Sequence, residues 1–199
     1  MNATALLAAA LVFSFPQDKQ DFKAWLSAGG WESKREDPAG WEVGGGELHL
    51  VSRDNSALIA AERGFPRDAG RMKLRLKVAS TPRGTNLARK AGDDAAFRVY
   101  VAFAKGGGVF SPPHTLAYTW AESGAAGTLT QSAHFSNLKY LTIGSGATGW
   151  VDVEVDLAAD YRRAFPGEPL PKLKGIALKC DSNDTGTSAE AWLSSLAFL

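Results

Sequence analysis

Arg71-Met72-Lys73-Leu74-Arg75-Leu76-Lys77-Val78 alternates cations with apolar side chains over eight residues. In an extended chain this places Met72, Leu74, Leu76 and Val78 on one face and the four cations on the other, whereas a helix would scatter both sets around its axis. Two further segments share the period. Phe97, Val99, Val101 and Phe103 alternate with Arg98, Tyr100 and Ala102, and Val151, Val153, Val155 and Leu157 alternate with Asp152, Glu154 and Asp156. Shorter runs at Glu47 to Val51, Ala57 to Ala61, Thr115 to Trp120, Lys139 to Ile143, Lys174 to Lys179 and Ala191 to Phe198 read as additional strands. Between them stand Gly44-Gly45-Gly46, Gly106-Gly107-Gly108, Ser111-Pro112-Pro113, Gly144-Ser145-Gly146 and Asp181 to Gly186, all turn or loop chemistry. Helix is expected only near Asp18 to Ala28 and near Ala158 to Phe165, where Leu157, Tyr161 and Phe165 recur four apart. Strands joined by loops rather than by long helices predict an all-β fold, a two-sheet antiparallel β-sandwich of jelly-roll type with one or two short helices.

The length of 199 residues suits one such domain. Twenty-two basic residues against 21 acidic leave a formal charge of +1, so no global field attracts nucleic acid or an anionic membrane. A monomer is the expectation. Cys180 is the only cysteine, which rules out an internal disulfide, and its place at the end of an alternating strand reads as a buried apolar position. The run from Ala5 to Phe15 is too short to span a bilayer but has the length of an export leader. Residues 1–16 are therefore read as a signal peptide or apolar N-terminal segment, 17–199 as the domain, and the location as periplasmic or secreted. No Lys or Arg precedes the apolar run, and no small-x-small cleavage site precedes Pro16-Gln17-Asp18; a buried element of the fold is the alternative reading.

The order of several motifs resembles a known family. NLARKAGDDAAFRVYVAF at Asn86 to Phe103, LAYTW at Leu116 to Trp120, GSGATGW at Gly144 to Trp150, DYRRAF at Asp160 to Phe165, and DSNDTG followed by AEAW at Asp181 to Trp192 are similar to the bacterial domain-of-unknown-function family 3047. The resemblance implies an exported β-sandwich domain and no established activity. Between Thr130 and Lys139 the family tends to carry an Asn-Pro-Tyr-like stretch, where this chain has Gln131-Ser132-Ala133-His134-Phe135.

Candidate chemistry centres on Asp93-Asp94, which enter a strand showing Arg98 and Tyr100 on its polar side. Carboxylates accept from hydroxyls and a guanidinium donates in a fixed fork, so this group suits a polyol or a cation; it equally suits an ion pair that fastens a loop to the sheet. If Arg75 and Lys77 share that face, it becomes a cationic floor fit for carboxylate-bearing sugars. Tyr118 and Trp120 lie on one side of their strand with Leu116, where they either stack sugar rings or fill the core. Asp181-Ser182-Asn183-Asp184-Thr185-Gly186 partly follows a calcium loop, with Asp181, Asn183 and Asp184 as candidate ligands, but Trp192 stands where a bidentate Glu is needed. A turn held by Asx hydrogen bonds is the competing reading.

Phosphate-binding glycine motifs, GxSxG and HExxH are absent, and His49, His114 and His134 are too scattered to signal a metal. The expectation is a non-catalytic binding module for a saccharide or other polar cell-envelope ligand on one polar sheet face, with no cofactor beyond a candidate calcium. The alternatives are a carbohydrate-active hydrolase or lyase on the same face, which needs two carboxylates or a Tyr with Arg or Lys in one cleft, and a structural envelope protein without a small ligand.

Overall fold

The computed structural model describes residues 10–35, 38–62, 65–66, 69–104 and 112–199. Residues 1–9 of the N-terminal segment read as a signal peptide, Gly106-Gly107-Gly108, expected as a turn, and Ser111 lie outside this set. The chain runs β1 (Leu11–Ser14), α1 (Phe22–Ala28), β2 (Glu32–Ser33), β3 (Glu42–Gly44), β4 (Glu47–Arg53), β5 (Ser56–Ala61), β6 (Arg71–Ser80), β7 (Ala95–Phe103) and β8 (His114–Ala121). It continues through β9 (Leu129–Gln131), β10 (Leu138–Ser145), β11 (Thr148–Asp156), α2 (Leu157–Ala164), β12 (Leu173–Asp181) and β13 (Ser188–Phe198).

Two sheets face each other as an all-β sandwich. The first has the order β11-β6-β13-β4-β3, with β1 beside the C-terminal half of β13; the second has the order β2-β5-β12-β7-β8-β10-β9. The alternation along β6 becomes the burial pattern of the strand: Met72, Leu74, Leu76 and Val78 enter the core, while Arg71, Lys73 and Arg75 stay in solvent. Leu193, Leu196 and Phe198 join them from the first sheet, and Phe97, Val99, Val101, Leu116, Tyr118 and Leu178 meet them from the second.

The expected helices form as short caps. Asp21 accepts from the Ala24 N–H at 2.8 Å to start α1, and Asp156 accepts from the Ala159 N–H at 2.8 Å to start α2. Leu157 and Tyr161 of α2 are buried in the core, as their spacing requires.

One pairing departs from an antiparallel plan. After β8 the chain passes to the sheet edge, lays down β9, and returns inward as β10, which therefore runs parallel to β8. Trp120 lies across Gly144 of β10 so closely that a Cβ there would come within 2.3 Å of its ring. The glycine in Gly144-Ser145-Gly146 thus serves packing as well as the turn.

The N-terminal segment also differs from a detachable leader over its last residues. Leu11–Ser14 pairs with Phe198 to Ser195, Phe13 and Phe15 are buried, and Phe13 packs against Trp31 and Phe198 at ring separations of 5.2 and 6.4 Å. An export signal and strand β1 would need the same residues. No helix among the described residues is long and apolar enough to cross a membrane.

Phe13→Ala should lower the free energy of unfolding by about 3 kcal/mol, the usual cost of emptying a buried Phe site. Urea denaturation checks this. An unchanged midpoint would mean that β1 is dispensable to the fold.

Candidate functional site

The second sheet buries Phe97, Val99 and Val101 of β7 inward, so Arg98 and Tyr100 point to its outer face. Arg98 is nevertheless fully buried, beneath Asp93 of the preceding loop, Asp181 at the end of β12 and the Tyr140 ring of β10. Asp93, just before β7, accepts from the Arg98 Nη2 at 2.7 Å through Oδ1, and its backbone carbonyl accepts from Nη1 at 3.2 Å. Asp181, at the end of β12, lies 3.8 Å from Nη1. The Tyr140 ring of β10 is 4.7 Å from the guanidinium carbon, and the Tyr140 hydroxyl donates to Asp93 Oδ2 at 2.5 Å. Burial works against the charge on Arg98, but Tyr100, Asp181 and Asp93 more than offset it, so the guanidinium stays charged. Its Nε has no hydrogen-bond partner among the described residues.

The other carboxylates of the cluster are engaged as well. Asp181 accepts from the Ala95 N–H at 3.1 Å and from the Lys179 ammonium. Burial raises its pKa against the opposing pull of Arg98 and Lys179. Asp94 accepts from the Thr185 N–H at 2.8 Å, the Thr185 hydroxyl at 2.7 Å and the Asp184 N–H at 3.3 Å. The 182–186 turn is thus fastened chiefly from another loop, by Asp94, rather than by its own Asx side chains. The calcium reading loses its first ligand for the same reason: Asp181 is turned into the Arg98 and Lys179 charges. No group of three His, Cys, Asp or Glu among the described residues is placed to hold a metal.

A cleft of about 310 Å³ opens above this cluster on the outer face of the sheet. Tyr100, Tyr140, Leu58 and Lys179 line it from the strands, and Asp93, Asn183 and Asp184 from the loops. His134 and Phe135 come from the loop between β9 and β10. Strand register sets Leu138 opposite Thr115, at the end of the sheet remote from Asp93. The loop therefore runs back along the sheet face to bring His134 Nε2 within 3.7 Å of Asp93 Oδ2. Ser132 holds it there by accepting from the His134 and Phe135 N–H groups at 3.2 and 3.4 Å. Phe135 remains 55% exposed at the mouth, and Tyr100 accepts from Arg98 Nη1 at 3.4 Å, which leaves its own hydroxyl hydrogen for a ligand.

Of the residues singled out from the sequence, Asp93, Tyr100, Asn183 and Asp184 line the cleft, while Arg98, Asp94 and Asp181 lie beneath it as its support. Four others do not belong to it. Arg75 and Lys77 are on the outer face of the opposite sheet, because β6 and β7 fall in different sheets. There Arg75 pairs with Asp152 at 2.9 Å, and Lys77 stands 3.8 Å over the Trp192 ring, whose far side stacks on His49 at 4.4 Å. Tyr118 and Trp120 face the core, where the Tyr118 hydroxyl donates to Asp160 at 3.3 Å and the Trp120 N–H donates to the Gly146 carbonyl at 2.7 Å. They form no stacking platform. The sequence reading missed His134, Phe135, Tyr140, Lys179 and Arg35. Only the polar sides of Lys139 to Ile143 and Lys174 to Lys179, which carry Tyr140 and Lys179, offered a signal for any of them.

Two outcomes follow from the buried charges. Arg98→Met should destabilise the protein by about 3–5 kcal/mol, because it leaves Asp93 and Asp181 buried without their cation. Arg75→Met, at an exposed pair, should change stability by less than about 1 kcal/mol; equal losses in urea denaturation would contradict the assignment. Burial also pushes the Tyr140 phenol well above its ordinary range. The unfolded chain releases this proton near pH ~10 and the folded chain keeps it. Stability should therefore be intact below that pH and fall above it, less steeply in Tyr140→Phe; parallel alkaline profiles would contradict this.

A family model described as "Protein of unknown function (DUF3047)" matches residues 42–197. No curated protein matches the chain. Among solved structures, the chain is similar to the xyloglucanase domain of NopAA, a type three effector from Sinorhizobium fredii in complex with cellobiose. The TM-score is 0.40 and the identity 10%, over 92% of this chain and 95% of that one.

Proposed function

Since the chain belongs to the family of proteins of unknown function DUF3047, whose description carries no activity, we propose a function from the cleft itself: non-catalytic binding of a neutral, hydroxyl-rich saccharide, in the periplasm or outside the cell. The observation that carries this reading is the pairing of an exposed aromatic, Phe135, with polar groups of both hydrogen-bonding senses around one small concavity. Sugars present apolar C–H faces and rings of hydroxyls, so a site for them needs an aromatic wall together with donors and acceptors. Tyr100 supplies a donor, and Asp184 and Asn183 supply acceptors.

Charge favours a neutral ligand. Three cations, Arg35, Lys179 and Arg98, stand against four acids, Asp93, Asp94, Asp181 and Asp184, so no positive excess is left, and the Arg98 charge is already compensated by its buried carboxylates. With Arg75 and Lys77 on the other sheet, the cationic floor that would draw a carboxylate-bearing sugar is missing from this face. The same accounting counts against two-carboxylate hydrolysis. A two-carboxylate mechanism needs one carboxylate to attack or accept a proton and another to donate one, both facing the substrate. Here Asp93, Asp94 and Asp181 are committed to Arg98, Tyr140, Lys179 and the 182–186 turn.

A glycan array with the wild-type chain and Phe135→Ala tests the reading. Neutral glycans should be retained intact, without new reducing ends or unsaturated products. Phe135→Ala should weaken them roughly tenfold, equivalent to a stacking contact of about 1.4 kcal/mol, at unchanged stability. Turnover would favour the enzyme, and an unaltered array with Phe135→Ala would remove the cleft from the account.

A further inference from the structure

The lining of the cleft is drawn from strands across the width of the second sheet. Its strand residues come from β5 (Leu58), β12 (Lys179), β7 (Tyr100) and β10 (Tyr140), which stand in that order across the sheet with β8 between the last two. Four inter-strand spacings separate β5 from β10, about 19 Å in all. The lining therefore spans five neighbouring strands, a breadth greater than one pyranose ring.

It does not stop at β5. Arg35, just after edge strand β2, lines both this cleft and a second, wider groove of about 670 Å³ that runs beside α1, with Lys23, Ser27 and Glu32 among its polar lining. A residue shared by two cavities makes them neighbours along one path. Arg35 is exposed, and no hydrogen bond or ion pair engages its side chain among the described residues, in contrast to Lys34, which pairs with Glu32. A guanidinium with no partner among the described residues, set between two grooves, can donate to hydroxyl or ring oxygens of a ligand passing over it.

We infer that the ligand is a polymer rather than a mono- or disaccharide, lying across the strands from β10 to β5 and over Arg35 into the groove beside α1. The inference rests on the saccharide reading above and adds chain length and direction to it. Neutral polysaccharide segments of several units fill the path; a single sugar occupies only the part beneath Phe135. Arg35 then acts on the distal units alone and sets length preference rather than recognition of the first sugar.

Size-fractionated hydrolysates of cellulose, xylan and laminarin, each of one to six units, test this by isothermal titration against wild-type, Arg35→Ala and Phe135→Ala chains. In at least one series the wild-type affinity should rise tenfold or more from two to five units. Arg35→Ala should flatten that rise while keeping disaccharide affinity within twofold, and Phe135→Ala should weaken every length. A disaccharide binding as tightly as the hexamer, or Arg35→Ala weakening all lengths alike, would overturn the polymer inference and leave saccharide binding standing. Failure of all three series to bind the wild-type chain would overturn the saccharide reading itself, and the inference with it.

Discussion

The guanidinium of Arg98, wholly buried on what would otherwise be the open face of a sheet, is the constraint around which the functional side of this protein is arranged. A lone cation there would carry a desolvation cost of several kcal/mol, so it requires carboxylates to approach it. They come from two separate places: Asp93 from the loop before β7 and Asp181 from the end of β12. Asp94, next to Asp93, secures the 182–186 turn, and Asp93 in turn takes the Tyr140 hydroxyl from β10. Such a network need not add net stability. Its effect is positional, since it fixes two loops and a tyrosine relative to one strand, and the walls of the cleft are built on them.

The two outer faces of the sandwich show why this matters. On the first sheet, cations and acids pair across exposed strands, as Arg75 does with Asp152 and Lys73 with Glu154, and Lys77 lies between the Trp192 and Trp150 rings. Its polar groups satisfy one another along a solvated surface. On the second sheet the charges are drawn inward, and the groups left at the surface, Phe135, Tyr100, Asn183 and Arg35, surround a concavity. The same kinds of residue thus give a surface that needs nothing further on one side and a receptive one on the other, according to whether loops cover the strands.

The sandwich itself was legible because period two is a local property. Met72 to Val78 and Phe97 to Phe103 declare their buried faces without reference to any partner. What alternation cannot reveal is which sheet a strand joins, and this is why Arg75 and Lys77 were grouped with Arg98. Nor does it say which of two faces is covered, so Tyr118 and Trp120 could be read either way until the core took them. Asp93 and Tyr100 were found because carboxylates and a tyrosine around an arginine have a recognisable chemistry, and Asp184 because its loop partly follows the spacing of a calcium loop. His134 and Phe135 were not, because their place depends on a loop that folds back along the sheet between the edge strand β9 and the parallel strand β10, a tertiary event with no local period. The strand Leu11–Ser14 is only one of two readings in the sequence for a related reason: a short apolar run has the same composition in a leader and in a sheet edge.

The central claim is that ligand meets the protein on the second sheet, over Arg98. An amide-resolved NMR titration of the full chain with a cellulose, xylan or laminarin pentasaccharide reports this face by face. The account predicts shifts at Tyr100, Phe135, Asn183 and Asp184, extending to Arg35, with Lys77, Trp150 and Trp192 unmoved. Shifts confined to the Trp192 and Trp150 face, or spread evenly over both sheets, would contradict it.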